Sequence, residues 1–182
     1  RSNLGGYLLL RGDFDGAEAE YRAALALDQR YIPAWVNLAD LKRSQQLEPQ
    51  AEAILREGLQ VMPADPALHH ALGLALVRQQ RLAEGVEELR KAYEQAPGNA
   101  RFAYVYAVGL HSEGARSRAI SVLEQALERA PNDTQLLSAL ASFHAEAGEV
   151  PRARAYAERL LELLPGDPGV QQLLRSLDQP RG

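Results

Sequence analysis

Four histidines and the adjacent carboxylates Glu87 and Glu88 are the residues in this chain best suited to metal or acid–base chemistry. Their spacing argues against both. His69 and His70 are neighbours, and on a helix neighbouring side chains diverge by about 100°, so the two cannot share one metal ion. Glu87 and Glu88 fall on a charged helix face, where carboxylates are ordinary solvation. The sequence contains no glycine-rich phosphate loop, no H-E-x-x-H and no G-x-S-x-G. Cysteine is absent, which removes disulfides, thiolate zinc sites and thioether-linked haem from these residues. No metal, no cofactor and no catalysis are expected.

Composition narrows the partners. Lys and Arg total 20 against 24 acids, a net charge of −4 with no basic block, which disfavours nucleic acid. A hydrophobic share of 46% with 24% charged residues suits a folded chain rather than a disordered one. No apolar run approaches the roughly 20 residues that span a bilayer, so no membrane insertion is expected. The opening RSNLGGYLLL lacks the basic region and cleavage site of a signal peptide. Because the first residue is Arg, the chain is expected to be a piece of a longer protein, soluble and either cytoplasmic or periplasmic.

The elements that carry these side chains repeat. Pro63, Pro97, Pro131 and Pro165 follow one another at intervals of 34 residues, a period typical of stacked helical repeats. On that ruler the repeats are 1–31, expected to be truncated at its start, then 32–65, 66–99, 100–133 and 134–167, with no insertion or deletion; a single helix at 168–178 then caps the stack, and 179–182 should fray. One column is small in every repeat (Gly5, Ala39, Gly73, Ala107, Ala141), and so is a second (Ala17, Ala51, Gly85, Ala119, Ala153). Large apolar columns run beside them, as in Leu4, Leu38, Leu72, Tyr106 and Leu140. Small residues let helix backbones approach and the large ones fill the grooves. Each repeat thus holds two helices of about 13 residues. Gly12, Gly114 and Gly148 suit left-handed helix ends, with Gln46 and Gln80 in the same place. Asp65, Asn99, Asp133 and Asp167 stand at helix N-caps, and Pro49 and Pro151 open second helices.

This pattern resembles the tetratricopeptide repeat: Trp35, Leu38, Ala39 and Ala51 in one repeat, and Gly12, Phe14, Ala17, Tyr21, Ala24, Leu25 and Asp28 in another. The resemblance covers essentially the whole chain. It departs at Gln29, which replaces a proline, at Lys42, where a large aromatic is usual, and at Leu160, which replaces a small residue. It implies an all-α, right-handed superhelical solenoid of antiparallel helix pairs with a C-terminal capping helix, whose first helices line a concave groove.

The family's ligand-contacting positions, carried onto this chain, form rows. Asn3 and Asn37 lead to Val105, and Val36 to His70, Tyr104 and Ser138. Asp40 leads to Leu74, Val108 and Ser142, while Arg43, Val77 and His111 share a row that Arg78 and Arg101 flank. The resemblance assigns Asn3 and Asn37 to the backbone of a bound peptide, since a side-chain amide both donates and accepts. Val36, Leu74, Val77, Tyr104, Val105 and Val108 would supply apolar anchoring. Arg43, Arg78 and Arg101 would rim the groove and meet acidic side chains. The lysines of carboxylate-clamping relatives are missing, because Lys42 and Lys91 lie off the groove. His70 and His111 both face it but stand about 10 Å apart along the helix axis, too far to share a metal. His144 occupies an otherwise apolar column and is expected to pack.

The expected function is a non-enzymatic module that binds a peptide or helical segment with acidic and apolar side chains. The alternative is a structural element that self-associates through its ends, with Leu4, Tyr7 and Leu8 exposed at the first. A narrower similarity links ARFAYVYAVGLHSEG, PAWVNLADL and LHHALGLALVRQ to repeat regions attached to bacterial multihaem c-type cytochromes. It implies a periplasmic parent whose haem domain lies outside these residues.

Overall fold

The structure is a computed structural model that describes residues 2–178, apart from the side chain of Ser2. The fraying expected of 179–182 lies outside the described residues. Eleven helices and no strand occur among the described residues: α1 (Ser2–Leu10), α2 (Phe14–Leu27), α3 (Ile32–Ser44), α4 (Glu48–Val61), α5 (Pro66–Arg78), α6 (Leu82–Gln95), α7 (Ala100–Ser112), α8 (Arg116–Arg129), α9 (Thr134–Glu146), α10 (Val150–Leu163) and α11 (Pro168–Asp178). The helices α3, α5, α7 and α9 each have 13 residues, and α2, α4, α6, α8 and α10 each have 14. That uniformity follows the 34-residue period of the sequence.

The punctuation is chemical. Asp65, Asn99, Asp133 and Asp167 each accept a hydrogen bond from the backbone N–H three residues on, satisfying a donor that the helix start leaves orphaned. Between the two helices of a repeat the chain reverses through a left-handed residue: Gly12 (φ 77°), Gly114 (φ 83°) and Gly148 (φ 78°), with Gln46 (φ 62°) and Gln80 (φ 64°) in the same role. The two glutamines accept the steric cost that glycine escapes.

The helices form two compact units, one reaching to Ala96 and the other starting at Pro97. In the first, α1–α2, α3–α4 and α5–α6 pair, α2 packs on α3 and α4 on α5, and the first helices α1, α3 and α5 touch in order. In the second, α7–α8 and α9–α10 pair, α8 packs on α9, α10 on α11, and α7 meets α9. Buried leucines run through each: Leu38, Leu55, Leu72 and Leu76 in the first, Leu123, Leu136, Leu137 and Leu140 in the second. Each such side chain contributes about 1.5–3 kcal/mol on burial.

One polar contact recurs in two successive repeats. Trp35 donates its indole N–H to the carbonyl of Gln29 at 2.8 Å, and His69, 34 residues on, donates from Nε2 to the carbonyl of Pro63 at 2.9 Å. The other nitrogen of His69 lies 2.6 Å from Glu88 Oε2, while Lys91 donates to Glu88 Oε1 at 2.7 Å. Glu88 therefore turns inward, away from the solvated role expected of it. His144 packs, as expected, and does so with no exposure at all. Its ring stacks on Tyr156 at 5.5 Å, and Nδ1 lies 2.6 Å from Glu149 Oε2.

Lys42, which departs from the repeat pattern, is buried on α3 and donates to Glu18 of α2 at 2.5 Å. The same two columns, four repeats later, hold Arg154 and Asp178 in an ion pair of reversed polarity. One seam is thus closed by acid-to-base pairing in the first unit and by base-to-acid pairing in the second.

Candidate functional site

The side chains expected to bind ligand fall on the first helices, and the two units treat them differently. In the second unit α7, α9 and α11 border an open cavity of about 590 Å³. Tyr104 and Val108 project from α7, and Ser138 and Ser142 from α9, each serine 34 residues beyond its counterpart. Gln135 adds an amide and Phe143 a ring. The far wall is apolar, with Leu160 and Leu164 at the end of α10 and Val170 and Leu173 on α11. Val108 is exposed and Tyr104 half-buried, so both present apolar surface while rooted in the helix stack.

Hydroxyls and an amide on one side and leucines on the other suit a segment that buries an apolar side chain and hydrogen-bonds alongside it. Asp167 is the only charged residue in the lining among the described residues, and its carboxylate already caps α11 by accepting from the Val170 N–H at 3.0 Å. Arg101, Val105 and His111 share α7 but stand outside this lining. Arg101 is exposed and Val105 half-buried. His111 stacks on Phe143, with ring centroids 4.1 Å apart, and its Nε2 lies 2.9 Å from Glu146 Oε2. It therefore braces a wall of the cavity.

In the first unit the expected residues lie along α1, α3 and α5. Asn3 is exposed and Asn37 half-buried, on touching helices. Val36 and Leu74 are half-buried. Val77 is directed at α6: a Cβ on Gly85 would stand 2.6 Å from Val77 Cγ2, so this valine fills the space that Gly85 leaves. His70 is buried on α5. The arginines have carboxylates within the chain. Arg43 donates to Asp40 Oδ1 at 3.1 Å, and Arg78 to Glu48 Oε1 at 2.8 Å. Both pairs are substantially solvated, where such contacts contribute little and exchange readily.

Gln135, Leu160, Leu164 and Leu173 line the cavity without having been assigned to ligand contact from sequence. Gln135 sits one period after Arg101, so the column held a signal. The leucines of α10 and α11 held none, because a helix end enters a first-helix face only through the way the last pairs pack.

Among the described residues no helix is long and apolar enough to cross a membrane, and no group of three His, Asp or Glu is placed to hold a metal ion. Solved structures with similar folds include MamA, with a TM-score of 0.74, 20% identity, 88% of this chain covered and 94% of that one. YrrB, described as a TPR protein with an unusual peptide-binding site, gives 0.73 at 17% identity, covering 96% and 90%. PilW, described as a widely conserved type IV pilus biogenesis factor, gives 0.75 at 19% identity, covering 97% and 88%. No curated protein matches the chain in sequence. A tetratricopeptide-repeat family model matches residues 8–75. A second model, described as the cytochrome c-type biogenesis protein H TPR domain, matches residues 43–170, well over half of the sequence. The helix pairs, their fixed period and that match together place the chain in this family: it belongs to the cytochrome c-type biogenesis protein H TPR domains.

Proposed function

We propose that the chain is a non-enzymatic protein-interaction module that holds a peptide or helical segment against its first helices. The observation that carries this reading is the cavity of the second unit, where Tyr104 and Val108 face Leu173 across a floor bearing Ser138 and Ser142. An apolar side chain of the ligand anchors there, and the serines and Gln135 hydrogen-bond its flanks. Among the described residues the lining offers hydroxyls and a side-chain amide, groups that both donate and accept hydrogen bonds to a ligand. The peptide-binding description of YrrB supports the same reading by analogy of fold.

In the first unit Asn3 and Asn37 hold ligand backbone beside Val36 and Leu74. An acidic ligand side chain competes there with Asp40 for Arg43 and with Glu48 for Arg78. In the second unit Arg101, at the start of α7, offers acidic side chains another guanidinium. A periplasmic parent fits the family's description, which concerns cytochrome c biogenesis.

The test starts from peptides selected on the wild-type protein from a display library and measures their affinity by calorimetry for Val108→Glu and Tyr104→Glu. At least a tenfold loss is expected in variants that keep their helix content and melting temperature. Unchanged affinity in folded variants would remove the cavity from the binding site.

A further inference from the structure

The cavity of the second unit carries one charge and no counter-charge. Among the described residues its lining holds no lysine, arginine or histidine, and Asp167 is its single carboxylate. That carboxylate is half-buried and enters no ion pair among the described residues. One of its oxygens caps α11 through the Val170 N–H, which leaves the other for a ligand. Capping does not require the charge, since Asn99 holds the start of α7 by the same bond to the Phe102 N–H. The N–H groups that open α11 amount to about half a positive charge, so the carboxylate sets the local sign as negative.

The polar groups on the opposite wall are uncommitted as well. Ser44, Ser112 and Ser176 turn their hydroxyls back onto carbonyls of their own helices. Thr134, Gln135, Ser138 and Ser142, all in the lining, make no side-chain hydrogen bond among the described residues. Close to Asp167 in the same lining, Leu164 is 39% exposed. A side chain with an aliphatic stem and a cationic head matches this surface, because the stem packs on Leu164 while the head meets Asp167. A ligand carboxylate at that place would face a like charge with no cation in the lining to offset it.

We propose that the cavity selects a partner peptide in which a lysine or arginine accompanies the apolar anchor, and that Asp167 makes the selection. The inference rests on the cavity being the binding site and adds the charge of the residue it takes. Arg101, the guanidinium at the start of α7, stands outside the lining and does not alter the sign within it.

Peptides are selected from a random display library on the wild-type protein and, in parallel, on Asp167→Asn, which keeps the cap as Asn99 does. Those from the wild type should carry Lys or Arg beside an apolar residue at least threefold more often than those from the variant. By calorimetry the best wild-type peptide should bind Asp167→Asn at least threefold more weakly, and Asp167→Ser, a second uncharged cap, should repeat the loss. The same peptide with its basic residue replaced by glutamine should bind wild type and Asp167→Asn equally. Asp65→Asn, the same change at the cap of α5 in the first unit, should leave the affinity unchanged. An equal loss in Asp65→Asn would trace the effect to capping and overturn the inference. Equal affinity for wild type and Asp167→Asn, with Val108→Glu still weakening binding, would overturn it while keeping the cavity as the site. If Val108→Glu has no effect either, both readings fall. A dimer in sedimentation that the peptide disperses would assign the cavity to a second copy and overturn the choice of partner.

Discussion

Gly73 of α5 and Gly85 of α6 face each other across their helix pair so closely that a Cβ on either would stand 2.9 Å from the other's carbonyl oxygen. Leu89 and Val77 close over the two glycines, at 2.7 Å and 2.6 Å from the same added atoms. The other repeats place alanine in one or both of these columns, so this pair of helices approaches through a contact of its own.

Gly85→Ala should therefore destabilise the fold, although alanine fills that column in every other repeat. The overpacking costs about 1–3 kcal/mol, and the better helix propensity of alanine returns at most about 1 kcal/mol. Ala119→Gly, at the same column in the second unit, should lose stability by propensity and a small cavity instead. Urea denaturation of both variants checks the signs. A stabilised Gly85→Ala protein would show that α5 and α6 can separate without penalty.

Glu18→Ala leaves the buried Lys42 ammonium without its carboxylate and should cost about 3 kcal/mol. Replacing both residues by leucine should recover most of that loss, since an apolar pair of similar volume avoids desolvating two charges. Exchanging them, as Glu18→Lys with Lys42→Glu, should also recover stability, because Arg154 and Asp178 already use the reversed polarity. A double-mutant cycle on melting temperature measures the coupling.

Acid should weaken the first unit through the same seam. The hydrogen bond from Lys42 holds the Glu18 carboxyl below its ordinary value of 4.5. At Glu52 burial pushes the carboxyl up, yet Arg56, Gln79 and Arg81 together outweigh it and bring it below 4.5. A carboxyl depressed in the folded state stabilises above its unfolded value and loses that contribution as pH falls through the folded one. The melting-temperature advantage of wild type over Glu18→Gln should thus be full at pH 7, begin to shrink as pH falls to about 4.5, and be lost as pH falls through the lower folded-state value. A constant advantage down to strong acid would assign the effect of Glu18 to packing.

The caps offer a graded test of helix starts. Asp65→Ala and Asp133→Ala each remove the acceptor for one backbone N–H and should cost about 1 kcal/mol. Hydrogen exchange should report the loss locally, in the first turns of α5 and α9. Uniform loosening of the whole chain would mean that the caps act on global stability alone.

Much of this protein follows from its sequence alone. A strict 34-residue period leaves one arrangement of helix starts, reversals and small columns, so Asp65, Gly12 and Gln46 could be placed by chemistry before any coordinates. The resemblance to the tetratricopeptide repeat, carried onto that register, put Tyr104 and Val108 among the ligand-contacting positions of a first helix. Tertiary structure decided the rest, wherever side chains distant in sequence meet. It turned Glu88 inward to His69 and Val77 toward Gly85, matched Lys42 with Glu18, and brought Leu160, Leu164 and Leu173 to the cavity of the second unit. A repeat pattern records what every copy shares. Which residues depart from it together depends on distances between helices, and those are fixed only when the helices pack.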